Sequence, residues 1–363
     1  MKQKYDLVCF EIVGFCNAKC PWCITGNKSL NKASSPSGFI NVDDFENAID
    51  YLLDNGFIGP GESRIYLYSW GEPMLHPDLN GILKILSKNN IDFGISTNAS
   101  KVVDFDRDVL ANLYDLKFSM PGFSQSSYDR VHGFSFDRIL ENIKTLVRNI
   151  ESEGAGVNFT MAYHLYQFNI GEINPAVKFC QENGIDFVPY VAYLNDFYLS
   201  KAYLDKSINR ELLERVSKDL FLYYIDELIA KMPQNYQCPQ FNILTIDEYC
   251  NALTCCVLPK DHPEYSLGSI FELSYNEIRE MKRTRKICND CIKSGVTYWV
   301  SNVVVPDYIK DFRYILELEK SLRERDLELQ NKANLINTLL NSKPYKLGRA
   351  FTWPIRCVVD RLK

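Results

Sequence analysis

Three cysteines on one short loop, Cys16-Asn-Ala-Lys-Cys20-Pro-Trp-Cys23, are the residues of this chain best spaced for chemistry. Three thiolates this close can each take a different corner iron of a 4Fe–4S cube. The fourth iron then lacks a protein ligand and stays open to a small molecule. An open iron beside a bound sulfonium can pass it one electron, which splits a carbon–sulfur bond. A closed zinc site wants four ligands, whereas no His lies near this loop and Cys9 belongs to the strand-like run before it. Three unconnected core cysteines are the blander alternative, but C-x-x-x-C-x-x-C in a turn is a poor core pattern.

A second group follows far along the chain: Cys238, Cys250, Cys255 and Cys256, then Cys288-Asn-Asp-Cys291. Only Cys9, Cys180 and Cys357 of the twelve cysteines fall outside the two groups. The basic, partly apolar start is broken by Asp6 and Glu11 and runs into the first cysteine loop, which argues against a secretion signal. In a reducing compartment twelve cysteines are not kept as disulfides, and such clustering points to metal or iron–sulfur ligation. Four thiolates would saturate the second site and suit it to electron transfer. Four cysteines that include a C-x-x-C half are also a zinc pattern.

The elements that must hold these loops alternate. Residues 5–14, 64–69, 91–96, 114–119, 156–163 and 185–190 are rich in β-branched and aromatic residues and end at Gly, Asn or polar turns, as strands do. Between them lie amphipathic stretches at 43–55, 77–89, 136–151 and 172–183; in the third, Ile139, Leu140, Ile143, Leu146 and Val147 recur at helical spacing. Repeated strand–helix alternation predicts a parallel sheet, open or curled into a barrel. The Cys16 loop, directly after the first strand, then lies at the carboxyl edge where such folds place their chemistry. Residues 209–230 read as one helix, 238–291 as short strands and turns. In 309–341, Ile315, Leu318, Leu322, Leu329, Ile336 and Leu339 form a stripe interrupted by Arg325 and Lys332. It predicts a short coiled coil or a solvent-edged helix.

The first loop, with aromatic Trp22 just before its last Cys, is similar to the radical S-adenosylmethionine (SAM) superfamily signature, and the resemblance extends over about residues 5–200. Ser69-Trp70-Gly71-Glu72-Pro73 resembles the family's Gly-Gly-Glu-Pro motif with Trp70 in place of the first Gly. Ser96-Thr97-Asn98 and Lys117-Phe118-Ser119 match further family positions. The resemblance implies a partial (β/α)6 TIM-like barrel over 1–200, with Cys16, Cys20 and Cys23 holding the SAM-cleaving 4Fe–4S cluster. It places Trp22, Gly71, Glu72, Asn98, Ser119 and His132 around SAM, Glu72 facing its amino group and Asn98 and Ser119 its ribose and methionine parts. His132, in Tyr128-Asp129-Arg130-Val131-His132-Gly133, stands where the family often carries the Arg that pairs the SAM carboxylate. Either His132 or Arg130 takes that contact, or His132 is a surface residue.

Sixteen residues separate Cys238 from Cys255 and thirty-two separate Cys255 from Cys288, a spacing that resembles the SPASM or twitch auxiliary-cluster extension, as does Gly-Ser-Ile-Phe-Glu-Leu-Ser at 268–274. Cys250 occupies the place of a family Gly. The resemblance implies a small Cys-rich domain over 201–305 with one auxiliary 4Fe–4S cluster on Cys238, Cys255, Cys288 and Cys291; Cys256 could replace Cys255, and Cys250 could join. A C-terminal helix over 306–342 and a basic tail over 343–363 complete the division.

The activity implied is reductive cleavage of SAM to a 5′-deoxyadenosyl radical that abstracts hydrogen from a substrate. An external flavodoxin- or ferredoxin-like electron donor is the expected partner. The tail carries six basic residues against Asp360, interleaved with Trp353 and aliphatic groups. That composition suits peripheral contact with an anionic membrane surface, or docking on the protein's own body. It also resembles tails of bacterial cell-surface polysaccharide glycosyltransferases, which favours a sugar or nucleotide-sugar substrate for surface glycan synthesis, oxidised or epimerised. A peptide substrate, as for maturase enzymes, is the second expectation, and a zinc-stabilised non-catalytic scaffold the third. Tyr163, His164, Tyr190 and Asp196 are the candidate substrate-facing groups. The net charge of -5 disfavours nucleic acid as a partner, and no apolar run reaches 18 residues, so the expected location is cytoplasmic, at or near the inner membrane surface.

Overall fold

The structure, a computed structural model, describes residues 4–26, 38–194, 197–305 and 308–343. Asp196, Cys357 and positions 344–363 of the basic tail lie outside the described residues.

All six expected strands form: β1 (Leu7–Phe10), β2 (Arg64–Leu67), β3 (Asp92–Thr97), β4 (Leu113–Met120), β5 (Asn158–Leu165) and β6 (Asp186–Val191). They pair in sequence order, each parallel to the next, as a partial barrel. Such sheets are covered by the crossover helices. Here these are α1 (Val42–Asp54), α2 (Leu79–Lys88), α3 (Gln125–Arg130), α4 (Phe136–Ser152) and α5 (Ile173–Glu182). Alternation along each strand decides its two faces: in β4, Leu116, Phe118 and Met120 are fully buried, while Lys117 and Ser119 between them are half-buried. Burying each such apolar side chain contributes about 1.5–3 kcal/mol. Side-chain caps fix where helices begin: Asn41 accepts from Asp44 N at α1 (2.8 Å) and Asp78 from Gly81 N at α2 (2.9 Å).

The sheet does not end at residue 200. Strand β7 (Ile243–Ile246) pairs in parallel with β1, Leu7 beside Ile243 and Phe10 beside Ile246, and β8 (Asn251–Leu253) and β9 (Ser266–Ser269) continue it antiparallel. At the other edge, residues 303–305 cover β6 through Val191 N–Val303 O (2.8 Å) and Val305 N–Pro189 O (3.0 Å). The expected auxiliary region thus shares a sheet with the barrel, and residues 1–308 form one compact unit.

The expected single helix over 209–230 is broken. It forms, after α6 (Phe197–Leu204), as α7 (Arg210–Val216) and α8 (Leu222–Ala230). Between them, the carbonyls of Ser217 and Leu220 accept from the Gln167 side chain, and Gln167 N donates to Asp219 O (2.9 Å). These long-range partners replace helical hydrogen bonds, and Val216, Leu220, Leu222 and Ile225 can all enter one apolar cluster. Helices α9 (Tyr275–Thr284), α10 (Lys286–Ser294) and α11 (Val296–Ser301) complete this unit. The second unit, 309–363, contains nearly all of α12 (Tyr308–Asn341), on which Leu329, Ile336 and Leu339 of the expected stripe are exposed. Among the described residues no helix is long and apolar enough to cross a membrane.

Candidate active site

The loop carrying Cys16, Cys20 and Cys23 leaves β1 and folds tightly on itself. Cys23 N donates to Cys20 O (3.3 Å), and a side chain at Gly26 would collide with the Cys20 backbone, 2.5 Å from its nitrogen. Hydrogen-bond donors point at sulfur: Ala18 N (3.4 Å) and Asn98 Nδ2 (3.6 Å) at Cys16, and the backbone of Gly26 and Thr25 at Cys23. Burial pushes the Cys16 thiol up to about 11, and burial followed by the neighbouring thiols raises Cys20. Thiols so raised ionise at neutral pH only onto a bound cation. Three sulfurs on one loop, each in reach of N–H or amide donors, fit a cluster that needs three ligands.

The 69–73 segment grips the same loop. Gly71 packs its Cα against the loop backbone, and a methyl there would lie 1.6 Å from Val13 O. Glu72 N donates to Phe15 O (2.9 Å). The Glu72 carboxylate is buried and accepts three hydrogen bonds: Oε1 from Thr97 Oγ1 (2.7 Å) and Met74 N (3.1 Å), Oε2 from Asn98 N (2.7 Å). Burial pushes it up to about 7 against those donors. Glu72 therefore ties the motif to the end of β3. Asn98 in turn donates to Asn17 Oδ1 (2.9 Å), so the first loop, the second motif and β3 form one hydrogen-bonded unit.

His132 is brought to this unit through its backbone, Lys19 N donating to His132 O (3.1 Å). Its ring is buried, and burial, then the nearby His164, lowers it to about 3. Burial thus favours its neutral imidazole form. Arg130 pairs with Asp219 (2.6 Å) and stacks over Phe168, so the alternative cation is engaged. Trp22 sits in the apolar cluster with Val131, Tyr166 and Leu220, under Arg215. Ser119 Oγ meets His164 Nε2 at 3.3 Å. Ser69 Oγ, His132 Nδ1 and the indole nitrogens of Trp22 and Trp70 are buried without a hydrogen-bond partner among the described residues. Buried polar atoms of this kind call for a ligand or water, and SAM carries ammonium, carboxylate and ribose groups that could serve.

Of the substrate-facing candidates, His164 and Tyr190 lie on the half-buried face of β5 and β6 with Ser119, Lys117 and Thr160. Tyr163 points the other way: it is fully buried, packs on Phe187 and donates to Asn169 O (2.9 Å). It is a packing residue.

Three contributors escape a reading by motif. Glu11, in the apolar β1 region, is 1% exposed, accepts from Trp70 N (2.9 Å) and pairs with Lys260, which also holds Glu248 (2.8 Å). Burial raises its carboxyl to about 7. A lone acid in an apolar run is a signal of a buried network, but nothing local names partners some 250 positions away.

The second cysteine group meets at one apolar cavity lined by Cys238, Cys255, Cys288 and Cys291. Thr297 Oγ1 donates to Cys238 Sγ (3.0 Å). Burial, then Cys255 and Cys238, raises Cys288 to about 12. Cys250 and Cys256 do not line this cavity. Cys250 has φ +61°, the left-handed region that favours Gly, which accounts for a Gly at that place in the resembling domain. Among the described residues no three Cys, His, Asp or Glu side chains converge on a single ion position. A cube gives each thiolate its own iron and does not require them to.

Residues 10–180 match the family model described as Radical SAM superfamily. Among solved structures, the chain is similar to Streptococcus suis SuiB bound to the precursor peptide SuiA, with 16% identity over 79% of this chain and 66% of that one at a TM-score of 0.51. It is similarly close to SuiB bound to S-adenosylmethionine, with 17% identity over 79% and 67% and a TM-score of 0.50. At such identities the likeness bears on the fold, and the chain spans about two thirds of the length of SuiB. No curated protein matches the sequence.

Proposed function

The chain carries a radical SAM domain at residues 10–180 and is an iron–sulfur enzyme, and we propose that Cys16, Cys20 and Cys23 are the ligands of its SAM-cleaving cluster. When bound, the cluster and SAM supply a 5′-deoxyadenosyl radical able to take a hydrogen atom from a substrate. The observation that carries the reading is the single hydrogen-bonded unit joining the Cys16 loop, the 69–73 motif and Asn98. In this reading the chain's own groups hold and shield. Gly71 lets the motif backbone approach the ligand loop, and Glu72 fixes the end of β3. Asn98 and Ser119 face the ribose and methionine parts. His132, uncharged, offers a hydrogen-bonding nitrogen rather than a counter-charge. The apolar cluster around Trp22 keeps water from the radical.

Cys238, Cys255, Cys288 and Cys291 hold an auxiliary cluster in a SPASM- or twitch-like region within 201–305, supported by their meeting at one cavity. Held by these four thiolates, a saturated cluster would supply a one-electron acceptor for oxidation of the substrate, or a fixed point for positioning it. The external reductant is a flavodoxin- or ferredoxin-like protein.

For the substrate we favour a sugar or nucleotide-sugar, oxidised or epimerised. The barrel face beside Ser119 is rich in hydrogen-bonding groups: Tyr66, Lys117 and Thr160 gather around Asp115, and His164 meets Ser119. Peripheral contact with an anionic membrane through 343–363 belongs to this reading. A peptide substrate is the second reading, supported by the likeness to SuiB in its complex with a precursor peptide. Anaerobic protein with dithionite and SAM tests the core: 5′-deoxyadenosine should form, and should vanish in Cys20→Ala. Zinc without iron, or product formation by Cys20→Ala, would overturn it. Deuterium transfer from labelled nucleotide-sugars or from peptides into 5′-deoxyadenosine separates the two substrate classes.

A further inference from the structure

Lys282, on α9, is fully buried, while its neighbours Arg283 and Lys286 are exposed. Its Nζ donates to Ile243 O (2.6 Å) and Gln240 O (3.2 Å). Among the described residues it has no ion pair with a carboxylate. Moving an ammonium out of water costs several kcal/mol unless an opposite charge lies near. Two carbonyl dipoles offset only part of that.

The charge that would complete the offset is close by. Gln240, whose carbonyl anchors Nζ, itself lines the cavity with Cys238, Cys255, Cys288 and Cys291. The groups whose ionisation would favour the ammonium, strongest first, are Cys255, Cys256, Cys238 and Cys288; burial alone pulls Lys282 downward. As thiols those cysteines carry no charge and Lys282 is uncompensated. As ligands of a four-iron cluster, Cys238, Cys255, Cys288 and Cys291 would be thiolates, and the cluster with its four thiolates would carry a net negative charge. Arg285, close by in sequence, is engaged with the carbonyls of Glu264 (2.7 Å) and Ser266 (2.9 Å).

We propose that Lys282 is the built-in counter-cation of the auxiliary cluster, a positioning residue whose fixed ammonium stabilises the added electron of the reduced cluster and so raises its reduction potential. This rests on the reading that Cys238, Cys255, Cys288 and Cys291 hold an iron–sulfur cluster. The step is a one-electron reduction of that cluster, the electron coming from the product radical or the external reductant. Lys282 exchanges neither proton nor electron.

The test is a potentiometric titration, followed by electron paramagnetic resonance, of full-length protein reconstituted with iron and sulfide. Cys16, Cys20 and Cys23 are replaced by Ala so that only the auxiliary cluster reports. Lys282→Met and Lys282→Gln should be reduced at least tenfold less readily at a given potential, a midpoint about 59 mV lower for a one-electron couple. Lys282→Arg should stay close to the parent. A parent-like midpoint in Lys282→Met overturns the proposal. If Lys282→Met does not retain iron, Lys282→Gln decides, because it offers a neutral N–H donor in place of the charge. Iron and sulfide in the parent with unmoved midpoints sink this inference alone. Zinc in place of iron in the parent sinks the auxiliary-cluster reading, and this inference with it.

Discussion

Replacing Gly71 with Ala probes the contact on which the site is built. The added methyl would sit 1.6 Å from Val13 O, 2.6 Å from Val13 C and 3.0 Å from Phe15 O. All three are backbone atoms, so no side chain can swing aside. The loop bearing Cys16 must separate from the 69–73 segment, which breaks the Glu72 N–Phe15 O hydrogen bond. Overpacking of this kind costs about 1–3 kcal/mol, and an unmade buried hydrogen bond about 1 kcal/mol more. The sum, about 2–4 kcal/mol, corresponds in a unit of this size to a melting temperature lower by about 3–6 °C. Gly59→Ala is the control, because its methyl would meet only the flexible end of Lys4. Thermal unfolding of the cluster-free chain, with iron content after reconstitution, reads both effects. Gly71→Ala should melt early and load less iron, while Gly59→Ala stays near the parent. Equal melting of the two variants would refute the reasoning.

Other outcomes follow from the same geometry. The Glu72 carboxyl is raised to about 7 by burial, above its unfolded value, so the folded state holds the proton more tightly and its own contribution to stability rises as pH falls from about 7 towards 4.5. The buried His132, lowered to about 3, acts in the opposite direction, so the difference between the urea midpoints of the parent and Glu72→Gln isolates the carboxyl. That difference should grow between about pH 7.5 and about pH 5; an unchanged difference contradicts the assignment. Because His132 stays neutral, SAM affinity should vary less than about threefold between about pH 5.5 and 8. A tenfold weakening across that range, abolished by His132→Asn, would restore the cationic role. Cys250→Gly should keep the full iron content and Cys255→Ala should lose about four irons per chain, since only Cys255 faces the cavity; the reverse result would reassign the ligand.

Much of this was readable in the chain because the signals are local. The six strands are apolar runs closed by Gly, Asn or polar turns, and parallel order follows from the α-helices in four of the five gaps, β3 and β4 being joined without one. The Cys16 loop and the 69–73 motif are contiguous, so their residue types survive in linear order. What stayed hidden depends on distant partners. Nothing near Ile243 announces that β7 pairs with β1, and the break between α7 and α8 depends on Gln167. Tyr163 and His164 are adjacent in a strand, so one-residue parity decides which faces the interior; polarity would have favoured His164. Glu72 offers a carboxylate to a ligand on paper, yet Thr97, Met74 and Asn98 already donate to it. Lys282 looks like one base in a run of bases until burial singles it out.

The central claim is that three cysteines leave one iron for SAM, and spectroscopy of that iron tests it most directly. Anaerobic protein carrying Cys238→Ala, Cys255→Ala, Cys288→Ala and Cys291→Ala retains only the first cluster. Its reduced electron paramagnetic resonance spectrum should change when SAM is added, and should vanish in a further Cys16→Ala variant. A spectrum that SAM leaves unaltered would mean a fourth protein ligand caps that iron, and would contradict the account.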